Sequence, residues 1–224
     1  MACSGPLSSI TRVILLHGVW MAGITMQPLA RRLRAQGFEP EVLGYRSIAE
    51  SPRVAIDSLL GTLREGGPAH VVGHSMGGLV ALHALRTDPQ APVGRVLCLG
   101  SPLCGSAAAE RLSGFRLSNL YFGRSRRILV EGCTSWPQEV EVGMIAGSSP
   151  HGLGRFFGGF EGEHDGTVAV EETRSPALSD HLVVGTSHMG VLVSREVASQ
   201  AARFLRDGRF RAQEAGPGPV SPQS

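Results

Sequence analysis

The 224-residue sequence lacks any apolar run approaching the ~18 residues that a membrane-spanning helix requires, so stable membrane insertion is not expected. Its first residues, Met1-Ala2-Cys3-Ser4-Gly5-Pro6, hold no basic segment followed by an apolar stretch, and no secretory signal is read there. Cysteine is scarce. The four present, Cys3, Cys98, Cys104 and Cys133, show no metal-ligand spacing, which argues against a zinc module and against a disulfide scaffold. Reduced thiols and a cytoplasmic location are the expectation; Cys98, inside Val96-Leu97-Cys98-Leu99, reads as a core residue, and a Cys104–Cys133 bridge stays open. Charge of one sign is also missing. A net charge of +2 gives no reason to expect a nucleic-acid partner, and the densest basic group, Arg124-Ser125-Arg126-Arg127, reads as a solvated loop. No internal repeat is present, and nothing indicates the oligomeric state.

What is there is an alternation of apolar runs and amphipathic segments. Arg12–Leu16 is short, apolar and rich in β-branched residues, as expected of a strand buried on both faces. A helix follows from Met26 to Gln36, with Leu29, Ala30 and Leu33 on one face and Gly37 at its end. Glu39–Leu43 reads as a weaker strand, and Val54–Glu65 as a helix with Ile56, Leu59, Leu60 and Leu63 at helical spacing. Strands are then expected over Ala69–Val72, Arg95–Leu99, Val140–Ala146 and Leu182–Val184, and helices over Met76–Thr87 and Val191–Arg206. This βα alternation implies an α/β fold with a mostly parallel sheet of about six strands and helices on both faces. One domain over 1–211 is expected, with 103–139 and 147–164 as loop excursions near the site and 212–224 as a disordered tail.

Gly73-His74-Ser75-Met76-Gly77 carries the chemistry. As a bare pentapeptide it is common; between an apolar strand and a helix it has the setting its mechanism needs. A sharp strand-to-helix turn lifts the Ser75 hydroxyl above the sheet, and the helix points its positive end at the site. An incidental serine in a glycine-rich turn is the bland alternative. His74 is tempting as a base, but neighbouring side chains diverge on such a turn, so it reads as packing.

A serine nucleophile needs a base, and the base an orienting acid. Downstream of Ser75, Asp165 in Glu163-His164-Asp165-Gly166-Thr167-Val168 is the preferred acid, ahead of Glu161, Glu163 and Asp180; Asp88 belongs with the Pro89 turn. His188, between the last strand and the last helix, is the preferred base, ahead of His151, His164 and His181. Two backbone N–H groups should hold the oxyanion: Met76, after the nucleophile, and Val19 in His17-Gly18-Val19-Trp20, with Gly18 as its neighbouring alternative. His17 is expected to brace that loop. Trp20 and Met21 line an acyl pocket or belong to the core. Leu103, Phe156 and Phe157, with Leu117, Leu120, Phe122 and Phe160, form an apolar substrate site or pack within their loops.

Leu16-His17-Gly18, Val72–Gly78, Leu99-Gly100-Ser101-Pro102 with Gly105-Ser106, Asp165–Val168 and Ser187-His188 together resemble the α/β-hydrolase superfamily, in its lipase/esterase-like branch. The Leu-Gly-Ser-Pro…Gly-Ser piece is similar to a segment of bacterial triacylglycerol lipases and GPI inositol-deacylase-like proteins. The resemblance spans roughly residues 12 to 210. It implies a Ser75–His188–Asp165 triad, an ester or lipid substrate and no cofactor. The family often has two more strands before its His-Gly strand, whereas eleven residues precede it here, so a minimal form with a small lid or none is expected. Acyltransfer or thioester cleavage would use the same residues. A non-catalytic, hydrolase-like binding protein is the alternative of another class, and it requires a triad member missing or misplaced.

Overall fold

The computed structural model describes residues 7–47, 49–106, 123–150 and 162–211. Its centre is a six-stranded, wholly parallel sheet in the order β2-β1-β3-β4-β5-β6. The strands are β1 (Arg12–Leu16), β2 (Glu39–Leu43), β3 (Ala69–His74), β4 (Val93–Leu99), β5 (Glu141–Gly147) and β6 (Asp180–Val184). The helices are α1 (Gln27–Arg34), α2 (Pro52–Gly66), α3 (Met76–Thr87), α4 (Arg126–Glu131) and α5 (Arg195–Asp207). Among the described residues no helix is long and apolar enough to cross a membrane.

Strand alternation divides the interior into two layers. Ile14, Leu16 and Val71 face one side, where they pack with Leu59 and Leu63 of α2 and Leu79 and Leu82 of α3. Val13, Leu15 and Val72 face the other, against Leu29 and Leu33 of α1 and Val197, Ala201 and Phe204 of α5. Both faces of β1 and β3 are therefore dry, which is why β1 is apolar from Val13 to Leu16 and β3 holds Val71 and Val72 at its centre.

Two helices start where side chains pair with the exposed backbone donors of the first turn. Ser51 Oγ accepts from Arg53 N at 3.3 Å, with Pro52 at the first position of α2. Ser194 Oγ accepts from Val197 N at 3.2 Å and begins α5. That second cap breaks the helix expected from Val191: Gly190–Leu192 form a separate 3-10 turn, and α5 starts after it. Similarly, Gly23–Met26 is a 3-10 turn ahead of α1.

The basic group at 124–127 is not a loop. Gly123–Ser125 is a 3-10 turn leading into α4, where Arg127 pairs with Glu131 at 2.8 Å on the exposed face. Cys104 and Cys133 are not bridged: their thiols meet the carbonyls of Arg174 at 3.1 Å and Ser135 at 3.4 Å. Cys98 is buried in the core, and burial pushes its thiol up to about 12. The tail at 212–224 lies outside the described residues.

Candidate active site

The site lies at the C-terminal edge of the sheet, where β3 turns into α3. Ser75 occupies the turn with φ 55° and ψ −121°, a left-handed conformation that costs a side-chain-bearing residue roughly 1–3 kcal/mol. The flanking glycines make this possible by close approach. A Cβ on Gly73 would lie 2.3 Å from Gly78 N, and one on Gly77 would lie 2.4 Å from Leu16 O. Ser75 N–H donates to Leu99 O at 2.8 Å, tying the turn to the end of β4.

Asp165 and His188 meet at the same edge. His188 Nδ1 is 2.6 Å from Asp165 Oδ2. The other carboxylate oxygen, Oδ1, accepts from Thr167 N and Val168 N, both at 2.8 Å. His188 N–H also donates to Asp165 O at 2.9 Å, so main chain and side chain align together. Burial alone would raise the Asp165 carboxyl, but the charge and hydrogen bond of His188 and the two N–H donors outweigh it and hold it below its ordinary value. An ionised carboxylate can only accept, so Nδ1 carries the hydrogen and Nε2 is the basic nitrogen. A Cβ on Gly100, the residue after Leu99, would lie 3.1 Å from Asp165 Oδ2 and 3.2 Å from His188 Nδ1. The end of β4 thus touches the Ser75 turn on one side and the Asp165–His188 pair on the other.

The loop after β1 closes over the turn. A Cβ on Gly18 would lie 3.1 Å from Ser75 Cβ. His17 does brace this loop: its ring nitrogens face Gly18 O at 2.8 Å and Tyr45 O at 3.1 Å, and the ring stacks on Tyr45 at 4.2 Å. The Tyr45 hydroxyl returns a hydrogen bond to His17 O. Among the described residues, no acceptor takes the N–H of Val19 or of Met76, the first residue of α3. Met76 is buried and Val19 half-buried, and neither N–H is spent on the described fold.

Residues 13–210 match the family model described as "Alpha/beta hydrolase family". The chain belongs to this family. No curated protein matches its sequence. Among solved structures it is similar to Bacillus licheniformis lipase BlEst2. Against the propeptide form the TM-score is 0.79 at 17% identity, over 94% of this chain and 53% of that one, so the chain spans about half of that longer form. Against the mature form the TM-score is 0.71 at 18% identity, over 92% and 94%. The metagenomic carboxyl esterase MGS0156 is also similar, with a TM-score of 0.66 at 16% identity over 90% and 76%. At these identities the likeness is one of fold.

Within this hydrolase fold the other candidates have separate duties. Asp180 Oδ2 accepts from Phe210 N at 2.7 Å, and Asp88 pairs with Arg64 at 2.7 Å. Glu163 bonds through its backbone to Val170 N. His164 Nδ1 accepts from Gly166 N at 3.1 Å, and His181, at the far end of β6, meets Thr173 Oγ1 at 2.9 Å. His151 and Glu161 lie outside the described residues.

Of the expected substrate contacts, Trp20 is 57% exposed and walls an open cleft of about 470 Å³ with Met21, Tyr45 and Arg46, beside the Gly18 loop. Leu103 is corrected: it is completely buried in the α2–α3 layer, where its carbonyl accepts from Cys133 N, and it offers no surface to a ligand. Phe156 and Phe157 lie outside the described residues, as do Leu117, Leu120, Phe122 and Phe160. The sequence reading missed two supports. Tyr45 carries no local signal of its role. Gly100 lies in the Leu99–Pro102 piece, which pointed to the family but not to the space this glycine leaves.

Proposed function

We propose that the chain is a serine hydrolase that cleaves carboxylic esters through an acyl-enzyme on Ser75. The observation that carries this reading is the 2.6 Å contact between His188 Nδ1 and Asp165 Oδ2, which leaves His188 Nε2 free to act as the base at the edge where Ser75 occupies its strained turn. The fold of solved lipase and carboxyl esterase structures supports ester substrates over other acyl compounds.

In the proposed sequence His188 Nε2 takes the proton from Ser75 Oγ as the oxygen attacks the ester carbonyl. The N–H groups of Val19 and Met76 receive the oxyanion, and the start of α3 adds its positive end. Asp165 keeps the imidazole in the Nδ1–H tautomer and stabilises the imidazolium. The imidazolium passes its proton to the departing alkoxide, and the alcohol leaves. Water, deprotonated by the same nitrogen, then attacks the acyl-Ser75 carbonyl, and the imidazolium returns that proton to Ser75 Oγ as the acid is released. Trp20 and Met21 hold the apolar part of the ester in the adjoining cleft. Only protein groups and water take part.

A panel of p-nitrophenyl esters from acetyl to palmitoyl, assayed on wild type and Ser75→Ala, tests the reading. The expected result is turnover by the wild type and a loss on the order of 10⁶-fold in the variant. Full activity in Ser75→Ala would end the assignment. Adding a competing alcohol, or replacing the ester by a thioester, separates hydrolysis from acyl transfer and thioesterase action.

A further inference from the structure

The residue before the nucleophile is not the packing group its position suggests. His74 is completely buried, and its Nε2 lies 2.9 Å from the main-chain oxygen of His188, a residue 114 positions away. The two rings are tilted against each other with centroids 4.7 Å apart. A carbonyl only accepts, so Nε2 must carry the hydrogen. Nδ1 is then a bare lone pair, and it is buried without a hydrogen-bond partner. A proton there would create a cation with no acceptor, in a dry site beside His188.

The other holds on His188 come from one direction. Its N–H bonds Asp165 O at 2.9 Å and its Nδ1 bonds Asp165 Oδ2 at 2.6 Å. Both fix it to the loop after β5. Neither sets its distance from β3, the strand that delivers Ser75. The His74 hydrogen bond does. Since His74 and Ser75 are consecutive, it links base and nucleophile through one residue's side chain and one peptide unit.

We propose that His74, kept as the neutral Nε2–H tautomer, is the positioning residue that anchors the His188 main chain to β3 and so aims the imidazole at Ser75. This role rests on the hydrolase reading above. The surroundings keep His74 neutral: burial, and then the charge of His188, pull its pKa down to about 3, with His17 acting in the same direction. The His188 carbonyl and the Asp165 carboxylate oppose this and are outweighed.

The test compares His74→Gln, whose amide N–H reaches the position of Nε2, with His74→Leu, which fills space and donates nothing. Wild-type esterase turnover and its loss in Ser75→Ala are measured first. The Leu variant should lose about 100-fold in kcat with KM within about 2-fold, the cost of a misplaced base. The Gln variant should stay within about 5-fold of wild type. A Leu variant as fast as wild type, or a Gln variant as slow as Leu, overturns the positioning role alone. Absence of any Ser75-dependent turnover overturns the hydrolase reading and the role with it. If the Leu variant does not fold, ¹⁵N spectra of wild-type protein labelled at histidine decide: His74 should show the Nε2–H pattern unchanged from about pH 8 to pH 5. A Nδ1–H pattern, or titration within that range, overturns the proposal.

Discussion

Strand β3 carries a buried histidine at each end, and the two are used in opposite ways. His70 and His74 are both completely buried, four residues apart on the same face of the sheet. At the N-terminal end His70 receives: its Nδ1 accepts from Arg95 N at 3.0 Å, and its ring meets the edge of Phe38 at 6.3 Å. At the C-terminal end His74 gives, donating to the main chain of His188. Their surroundings follow the same division. The N-terminal edge is mostly paired within the fold: His70 Nε2 is buried without a hydrogen-bond partner, but Arg95 pairs with Glu141 at 2.6 Å and caps the end of α5 by donating to Leu205 O and Arg206 O, both at 3.0 Å. The C-terminal edge holds a strained serine and backbone donors without acceptors. One end spends most of its polar groups on the fold, and under the proposed function the other keeps them for a substrate.

That contrast predicts that changes at the C-terminal edge are read in rate and changes at the N-terminal edge in stability. After Ser75→Ala, the largest effect is expected at Asp165→Asn. Oδ1 is held by two backbone N–H donors, so the amide oxygen of asparagine must occupy that position. Its NH₂ group then faces His188 Nδ1 and donates to it. The ring hydrogen is driven to Nε2, where the base should be. A loss of up to about 10⁴-fold in kcat is expected, as for the same replacement in serine proteases. The thermal midpoint should change little, because volume and N–H contacts are kept. A variant with unimpaired kcat would show that the Asp165–His188 contact is structural.

Arg95→Met is the converse experiment. The Arg95 side chain is 8% exposed, and its removal leaves Glu141 unpaired and two α5 carbonyls without their donor. Glu141 is itself 37% exposed and partly screened, so the loss is about 2 kcal/mol, or roughly 4–8 °C in the melting midpoint of a chain this size. Rate per folded molecule should stay within about 2-fold of wild type, since Arg95 lies at the edge away from Ser75. A fall in kcat without a fall in stability would erase the distinction between the two ends.

The same contrast explains what was legible in the sequence. Short apolar runs, Val13–Leu16, Val71-Val72 and Val96–Leu99, announced β1, β3 and β4, because both faces of these strands are dry. The proposed roles of Ser75, Asp165 and His188 were readable as a set because each comes after a strand and their chain order is the one the hydrolase fold uses. What escaped depends on contacts between distant segments. No local pattern signals that Arg95, a charge inside a strand, reaches the end of α5, or that His74 reaches His188. Val191 and Leu192 keep helical phase with Val197 and Ala201, so only the Ser194 cap reveals that α5 starts later. Leu103 does lie in a turn, but its burial was not legible because the fold around it, and not its neighbours in sequence, determines it.

The smallest effect separates the two histidines by pH. Burial, and then the charge of Arg95, lowers His70 to about 4; His74 is lowered to about 3. Both are neutral in the folded chain down to those values, while in the unfolded chain each takes a proton near the ordinary ~6.5. Between about pH 6.5 and 4 the unfolded state therefore binds more protons, and stability rises with pH. Their contribution is fully present above about 6.5 and is lost as pH falls through the folded values. Each histidine adds a slope of up to about 1.4 kcal/mol per pH unit, and His83 and His181, also lowered by burial, add in the same sense. Asp165, held below the ordinary carboxyl value, gives up its share only in stronger acid. His70→Asn places an amide oxygen where Nδ1 accepts from Arg95 N, and it cannot titrate. Urea midpoints at pH 7.5, 6.5, 5.5 and 4.5 should show its slope reduced by one proton's worth, with the pH dependence of kcat unchanged. A slope equal to that of wild type would mean that His70 is already charged in the folded protein, against what its burial implies.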